Sequence, residues 1–225
     1  MPVLSLSDAR AVLGSDVLGP EEVDNVFGAR ASANLSPAIP FSRDHLAAAR
    51  SHGAMLVLRT TRAGGGTPLT ILHMLQQFPQ AFDPKLLHQT GYQLRDEWGI
   101  ALEPLAAVDT CSAGWALVWK DVLQESCNLA YDEHEVIIRN YAGALGTAEL
   151  RRRTAVEAVY DTLLYHAARK TRLLQRRWDW SSSPTLDGGY LNIGGFGPQG
   201  MEILSFSRAV RHGQLGVCPT WQPIQ

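Results

Sequence analysis

The chain has 225 residues, of which 45% are hydrophobic and 19% charged, and its formal net charge is −2. That length buries a sizeable core without disulfides or metal, and the near-neutral balance argues against a polyanion-binding basic domain or an acidic tail. The three cysteines, Cys111, Cys127 and Cys218, are far apart and include no Cys-x-x-Cys, so a disulfide framework and a cysteine-built zinc site are both disfavoured and a reducing compartment is expected.

The opening stretch, MPVLSLSDAR, lacks a basic segment followed by an apolar run, so no signal peptide is expected. No apolar stretch approaches the roughly 18 residues that span a bilayer. Cytoplasmic location, with no membrane partner, is the expectation. Residues 1–28 read as two short helices. Ser7 is the expected cap of the first, which stops near Gly14. Pro20 opens the second, with Glu21 and Glu22 at the positive end of its dipole and Gly28 closing it. Residues 29–40, rich in Ser, Asn and Pro, read as a loop. The whole of 1–225 is expected to form one α+β domain, because 28 residues cannot build a core alone.

A helix capped by Ser42 and ended by Gly53 should lead into a buried strand over 54–60 (AMLVLRT). Thr67-Pro68 predicts a helix to about Phe78, and Asp83-Pro84 another to about Gln89. Residues 104–123 read as a β-hairpin, PLAAV and WALVWKDVL around a turn at 109–114. Residues 131–145 read as a helix ended by Gly146. Thr154 and Glu157 match a capping box that starts a long helix; the residues allow it to be unbroken from 148 to 177 without requiring it. The last 40 residues alternate as strands do: YLNIG, MEILSF and LGVCP. Segregated strands favour α+β, with helices in the N-terminal and central parts packed on a small, mainly antiparallel sheet that ends in a Gly-rich hairpin.

The charge is unevenly placed. Residues 151–177 hold eight basic side chains against Glu157 and Asp161, a local surplus of six that leaves the rest of the chain at −8. Val156, Val159, Tyr160, Leu163, Leu164 and Ala167 follow one helical face. Tyr165, Arg169, Arg172 and Arg176 would line the opposite face of an unbroken helix, where guanidinium groups bind phosphate or carboxylate oxygens. The same pattern also suits a solvated helix face with its cations near the negative end of the dipole. Trp178 and Trp180 follow directly, ahead of a Ser181–Pro184 loop. These six residues are the candidate ligand or partner site. An anionic ligand or protein partner is expected, nucleic acid is the less favoured class, and a homo-oligomer contact would use the same residues.

Gly195-Phe196-Gly197-Pro198-Gln199-Gly200 matches G-x-G-x-x-G, but strand-like residues follow it instead of a helix, and no acidic residue lies 20 positions on. Kinase-type machinery is missing after it too. The glycines therefore read as turn residues, and no cofactor is expected. Trp115 and Trp119 read as core aromatics. Asp132-Glu133-His134-Glu135 opens a helix, where neighbours point apart, so no metal is expected. For catalysis, Cys111, Cys218, Asp96, Glu97, Glu103 and Asp109 are candidates for a small hydrolase, the alternative to a non-catalytic binding or assembly protein and to a homo-oligomeric structural subunit. From about residue 40, the segments Pro40–Ser42, AMLVLR, RTAVEAVYDTLLY and DGGYLNIGGFGPQGMEI resemble uncharacterised proteins of bacterial genomes. The resemblance implies a bacterial source and no particular chemistry.

Overall fold

The computed structural model describes residues 4–29, 38–83, 99–147 and 149–223. The protein is α+β with two mixed sheets, where the sequence suggested one. Helix α1 (Leu6–Leu13) is capped by Ser5, not Ser7: the Ser5 hydroxyl accepts the Asp8 N–H, and the Asp8 carboxylate returns to the Ser5 N–H. Strand β1 (Val17–Leu18) leads to α2 (Pro20–Phe27), which has Pro20 at its first position and Gly28 left-handed at its end. Helix α3 (Arg43–Ser51), capped by Ser42, feeds the wholly buried strand β2 (Ala54–Arg59). Helix α4 (Ile71–Gln77) starts later than expected, because Thr70 caps it. The helix expected after Asp83 lies outside the described residues.

The hairpin expected over 104–123 is not there. Residues 104–108 form a short helix, α5 (Pro104–Val108), and only β3 (Gly114–Trp119) is a strand. PLAAV is an apolar run too short to show periodicity, and Pro104 at the first helical position tips it to helix. Helix α6 (His134–Leu145) ends at a left-handed Gly146. The basic helix is not continuous over 148–177. Residues 150–152 are strand β4 (Leu150–Arg152), and α7 runs Ala155–Arg169 behind the capping box of Thr154 and Glu157, ending at left-handed Lys170. Strand β5 (Trp178–Pro184) takes in the serines expected as loop. Strands β6 (Tyr190–Gly197), β7 (Gly200–Phe206), β8 (Leu215–Gly216) and β9 (Pro219–Trp221) complete the chain.

One sheet has the order β1-β2-β3-β9-β4, parallel only between β1 and β2; the other is β7-β6-β5-β8, parallel only between β5 and β8. Helix α7 touches β1 and β2 of the first sheet and β5 and β6 of the second. Residues 155–165 of that helix are accordingly all buried, as expected of a helix covered on every side. Apolar residues from Ala9 to Trp221 join one core cluster, and Tyr131, Trp180 and Leu215 form a small second one.

The glycine motif is a β6–β7 turn in which Gly197 pairs with Gly200. Its last glycine has φ +117, and a Cβ there would lie 2.2 Å from the Phe82 carbonyl carbon, where the chain crosses and Asp83 N–H donates to Met201 O at 3.0 Å. Close approach of two backbones accounts for that glycine.

Candidate functional site

Helix α7 carries charge at both ends, and the two ends are built differently. At its N-terminal end three consecutive arginines each meet their own partners. Arg151 grips Glu157 with two bonds of 2.8 Å. Arg152 donates to Glu135 at 3.1 Å, to His134 Nδ1 at 3.0 Å and to the Tyr131 carbonyl, with its guanidinium 4.0 Å from the centre of the Tyr131 ring. Arg153 reaches Asp179 at 2.7 and 2.9 Å and Asp161 at 3.3 Å. Arg59 enters from β2 and binds Asp161 at 2.6 and 3.0 Å and Glu157 at 2.9 Å. Arg59, Arg153, Glu157, Asp161 and Asp179 are all buried.

Buried charges persist only when paired and hydrogen-bonded, and these are. Burial works against the Arg59 charge, but Asp161 and Glu157 outweigh it and hold the guanidinium above its ordinary value. Burial likewise resists ionisation of Glu157, yet Arg59 and Arg151 bring its carboxyl down to about 2. Burial, with Arg152 beside it, lowers His134 to about 4, so this imidazole is neutral in the fold. A cavity of about 540 Å³ opens here, lined by Tyr131, Glu135, Arg151, Arg152 and Glu157, but each of these charged groups already has a partner.

At the C-terminal end of α7 the chain leaves the helix at Lys170 and turns through 171–177, pinned by buried Leu173 and Leu174. The unbroken stripe of Tyr165, Arg169, Arg172 and Arg176 therefore does not form. Tyr165 is buried, and its hydroxyl donates to Asp16 at 2.8 Å; burial first and then Asp16 raise it to about 12. Arg169 is turned onto the N-terminal segment, donating to the carbonyls of Ser15 (2.7 Å) and Val17 (2.9 Å) and to Glu22 (2.8 Å). Arg172 and Arg176 remain exposed. Among the described residues neither has a carboxylate within ion-pair distance; Arg172 stands 5.7 Å over the Phe196 ring.

Arg172 and Arg176 line a cleft of about 580 Å³ together with Tyr165, Lys120, Asp121 and Arg177. Four cations thus line the cleft beside one carboxylate, that of Asp121. Lys120 is held by Asp16 at 2.6 Å, while Arg177 donates to Gln124 at 2.7 Å and stands 3.9 Å from Asp121. Lys120 and Arg177 were not singled out from the sequence. Lys120 is a lone cation just past β3, and nothing local marks it.

Trp178 and Trp180 share a face of β5, but neither lines this cleft. Trp180 is fully buried against Tyr131 and His134, at ring distances of 5.4 and 5.5 Å. Trp178 is half-buried and donates to Glu202 at 3.1 Å. Of the catalytic candidates, Cys111 and Cys218 are buried free thiols that burial pushes well above their ordinary values. Such thiols are poor nucleophiles. Glu103 is buried, accepts the Leu186 N–H at 3.1 Å and is raised by burial. Asp96 and Glu97 lie outside the described residues. Asp132, Glu133 and Glu135 each pair with an arginine (Arg208, Arg211 and Arg152), and no group of three or more metal-ligating side chains occurs among the described residues. No helix of these residues is long and apolar enough to cross a membrane. No known family model matches the chain, and no curated protein or solved structure does either.

Proposed function

We propose that the protein is a non-catalytic binder of an anionic ligand or anionic partner segment, held in the cleft at the C-terminal end of α7. The observation that carries this reading is the pair Arg172 and Arg176, exposed in a concave site without an ion-pair partner among the described residues while the three arginines at the other end of the helix are all engaged. Guanidinium groups free of internal partners bind phosphate or carboxylate oxygens in a bidentate fashion. Lys120 and Arg177 add positive potential at the rim, and Tyr165 forms a wall. Arg169 anchors the end of α7 to α2, while Trp178 and Trp180 pack in the small second cluster outside the cleft lining. Two exposed cations with no ion pair among the described residues suit a small anion or a short acidic segment better than a nucleic acid, which needs a broad basic surface.

The core cluster drawn from Ala9 to Trp221 supports one domain over 1–225, and three free cysteines support a reducing, cytoplasmic setting. Titration calorimetry with inorganic pyrophosphate at low salt tests the binding. Saturable heat that weakens with added salt, and is lost in the Arg172→Ala/Arg176→Ala protein, is expected. Equal binding by that variant removes the reading.

A further inference from the structure

We propose that Asp16, which stands outside the basic cleft, sets the affinity of that cleft for anions by holding back one of its cations, the ammonium of Lys120. The inference rests on the anion-binding reading above and concerns the strength of that same site. Lys120 directly follows β3 and lines the cleft. Asp16 lies in the turn between α1 and β1 and is not part of the lining. Its carboxylate nevertheless meets the Lys120 ammonium at 2.6 Å. The two side chains are only 26% and 23% exposed, so water and salt screen this pair less than an open surface pair.

The carboxylate is fixed in place from α7. Tyr165 donates its hydroxyl to the other oxygen of Asp16 at 2.8 Å. Arg169 binds the carbonyls of the flanking residues Ser15 and Val17, at 2.7 and 2.9 Å. Each Asp16 oxygen therefore has its own donor, and the backbone on both sides is tied down. The Lys120 ammonium lies 5.9 Å from the centre of the Tyr165 ring, on a wall of the cleft. A carboxylate in contact with an ammonium cancels most of its field a few ångströms away. An anion in the cleft thus meets Arg172 and Arg176 with their charges unmatched among the described residues, and Lys120 with its charge matched. Lysine suits such an arrangement, because its charge sits on a flexible four-carbon stem. Released from Asp16, the ammonium turns to the anion beside it.

Coupling separates this from a simple sum of charges. Neutralising Asp16 raises the potential of the whole surface, and neutralising Lys120 lowers it. If the two act independently, Lys120 contributes the same whether Asp16 is charged or not. If Asp16 withholds the ammonium, Lys120 contributes more once that carboxylate is gone.

Titration calorimetry of the full chain with inorganic pyrophosphate at low salt measures this for the parent, Asp16→Asn, Lys120→Met and the double variant. Asparagine keeps the size of the side chain and an oxygen for the Tyr165 hydroxyl. Asp16→Asn is expected to bind about fivefold more tightly, the effect of one unit charge about 4 Å away in water, with a steeper salt dependence. Lys120→Met should cost severalfold more affinity in the Asp16→Asn background than in the parent. Acetylation of Lys120 by an N-hydroxysuccinimide ester, followed by peptide mass spectrometry, reads the hold without any ligand and should be faster in Asp16→Asn. Equal losses from Lys120→Met in both backgrounds would overturn the inference and leave the anion cleft standing, as would an Asp16→Asn protein that binds no more tightly or an unchanged acetylation rate. No saturable heat from either the parent or Asp16→Asn would remove the anion-binding reading itself, and this inference with it.

Discussion

At the N-terminal end of α7, Arg151, Arg152 and Arg153 are each held by one or more carboxylates, and Arg153 is almost wholly removed from water. At the C-terminal end, Arg172 and Arg176 project into a cleft and meet no carboxylate of the described residues. The residue type is the same and the sequence separation is about one helix. What differs is whether the fold supplies a partner. A basic segment read as one surface is in fact a structural ion-pair cluster at one end and open cations at the other. Net charge counts both alike, and only pairing tells which of them remain available to a ligand.

The largest expected effect breaks the first half of that contrast. Arg153→Met removes the ion-pair partner of Asp179, which among the described residues keeps only the Cys218 N–H, and one partner of Asp161, and leaves buried carboxylates with a reduced set of donors. Breaking a buried pair from one side costs about 3–5 kcal/mol, so the midpoint of urea unfolding should fall accordingly. A loss below about 1 kcal/mol would mean that water reaches these groups and that the two ends are not so different.

His134 gives the next effect, through Arg152. Unfolded, its imidazole takes a proton near 6.5; folded, not until about 4. Between those values the unfolded chain binds more protons, so stability falls as pH drops through the window, by on the order of 3 kcal/mol if the whole shift is realised. Glu157 adds a separate loss lower down. Its folded carboxyl, at about 2, stays ionised below its ordinary 4.5, and the stability it contributes disappears as pH falls from the one value towards the other. Unfolding midpoints measured from pH 7 to 4 should be flatter for His134→Leu than for the parent. Parallel curves would remove His134 from the account.

How much of this was readable beforehand depends on the range of the interaction. Helix caps are local, so Pro20, Ser42, Gly146 and the Thr154–Glu157 box were legible. The 104–108 helix was not, because five apolar residues carry no period. The fate of each arginine was not legible either. Arg59 and Asp161 are 102 residues apart, and Arg169 and Glu22 are 147 apart. No window of sequence holds both partners. One signal of the buried cluster is local. Glu157 and Asp161 sit four apart on a helix whose surrounding residues are apolar on almost every side. A carboxylate pair in that setting requires a buried cation from elsewhere in the chain. A net-charge count over 151–177 treats Glu157 and Asp161 only as offsets to the basic side chains.

The smallest effect on stability tests the second half of the contrast. If Arg172 and Arg176 contribute nothing to the fold, replacing both by Ala should change unfolding free energy by less than about 0.5 kcal/mol, the usual range for surface sites without engaged partners. Two terms oppose each other. Removing like charges from one cleft relieves repulsion with Lys120 and Arg177. Against that, Arg172 loses its position over Phe196, worth about 0.5–1 kcal/mol at an exposed site. Near-cancellation is the expected outcome, together with lost pyrophosphate binding. The single variants separate the terms: Arg176→Ala, with no ring beneath it among the described residues, should be neutral or slightly stabilising, and Arg172→Ala slightly destabilising. A double variant that unfolds more easily by 2 kcal/mol or more would show that these cations too are held by the fold. The cleft would then be another structural junction like the one at the opposite end of α7.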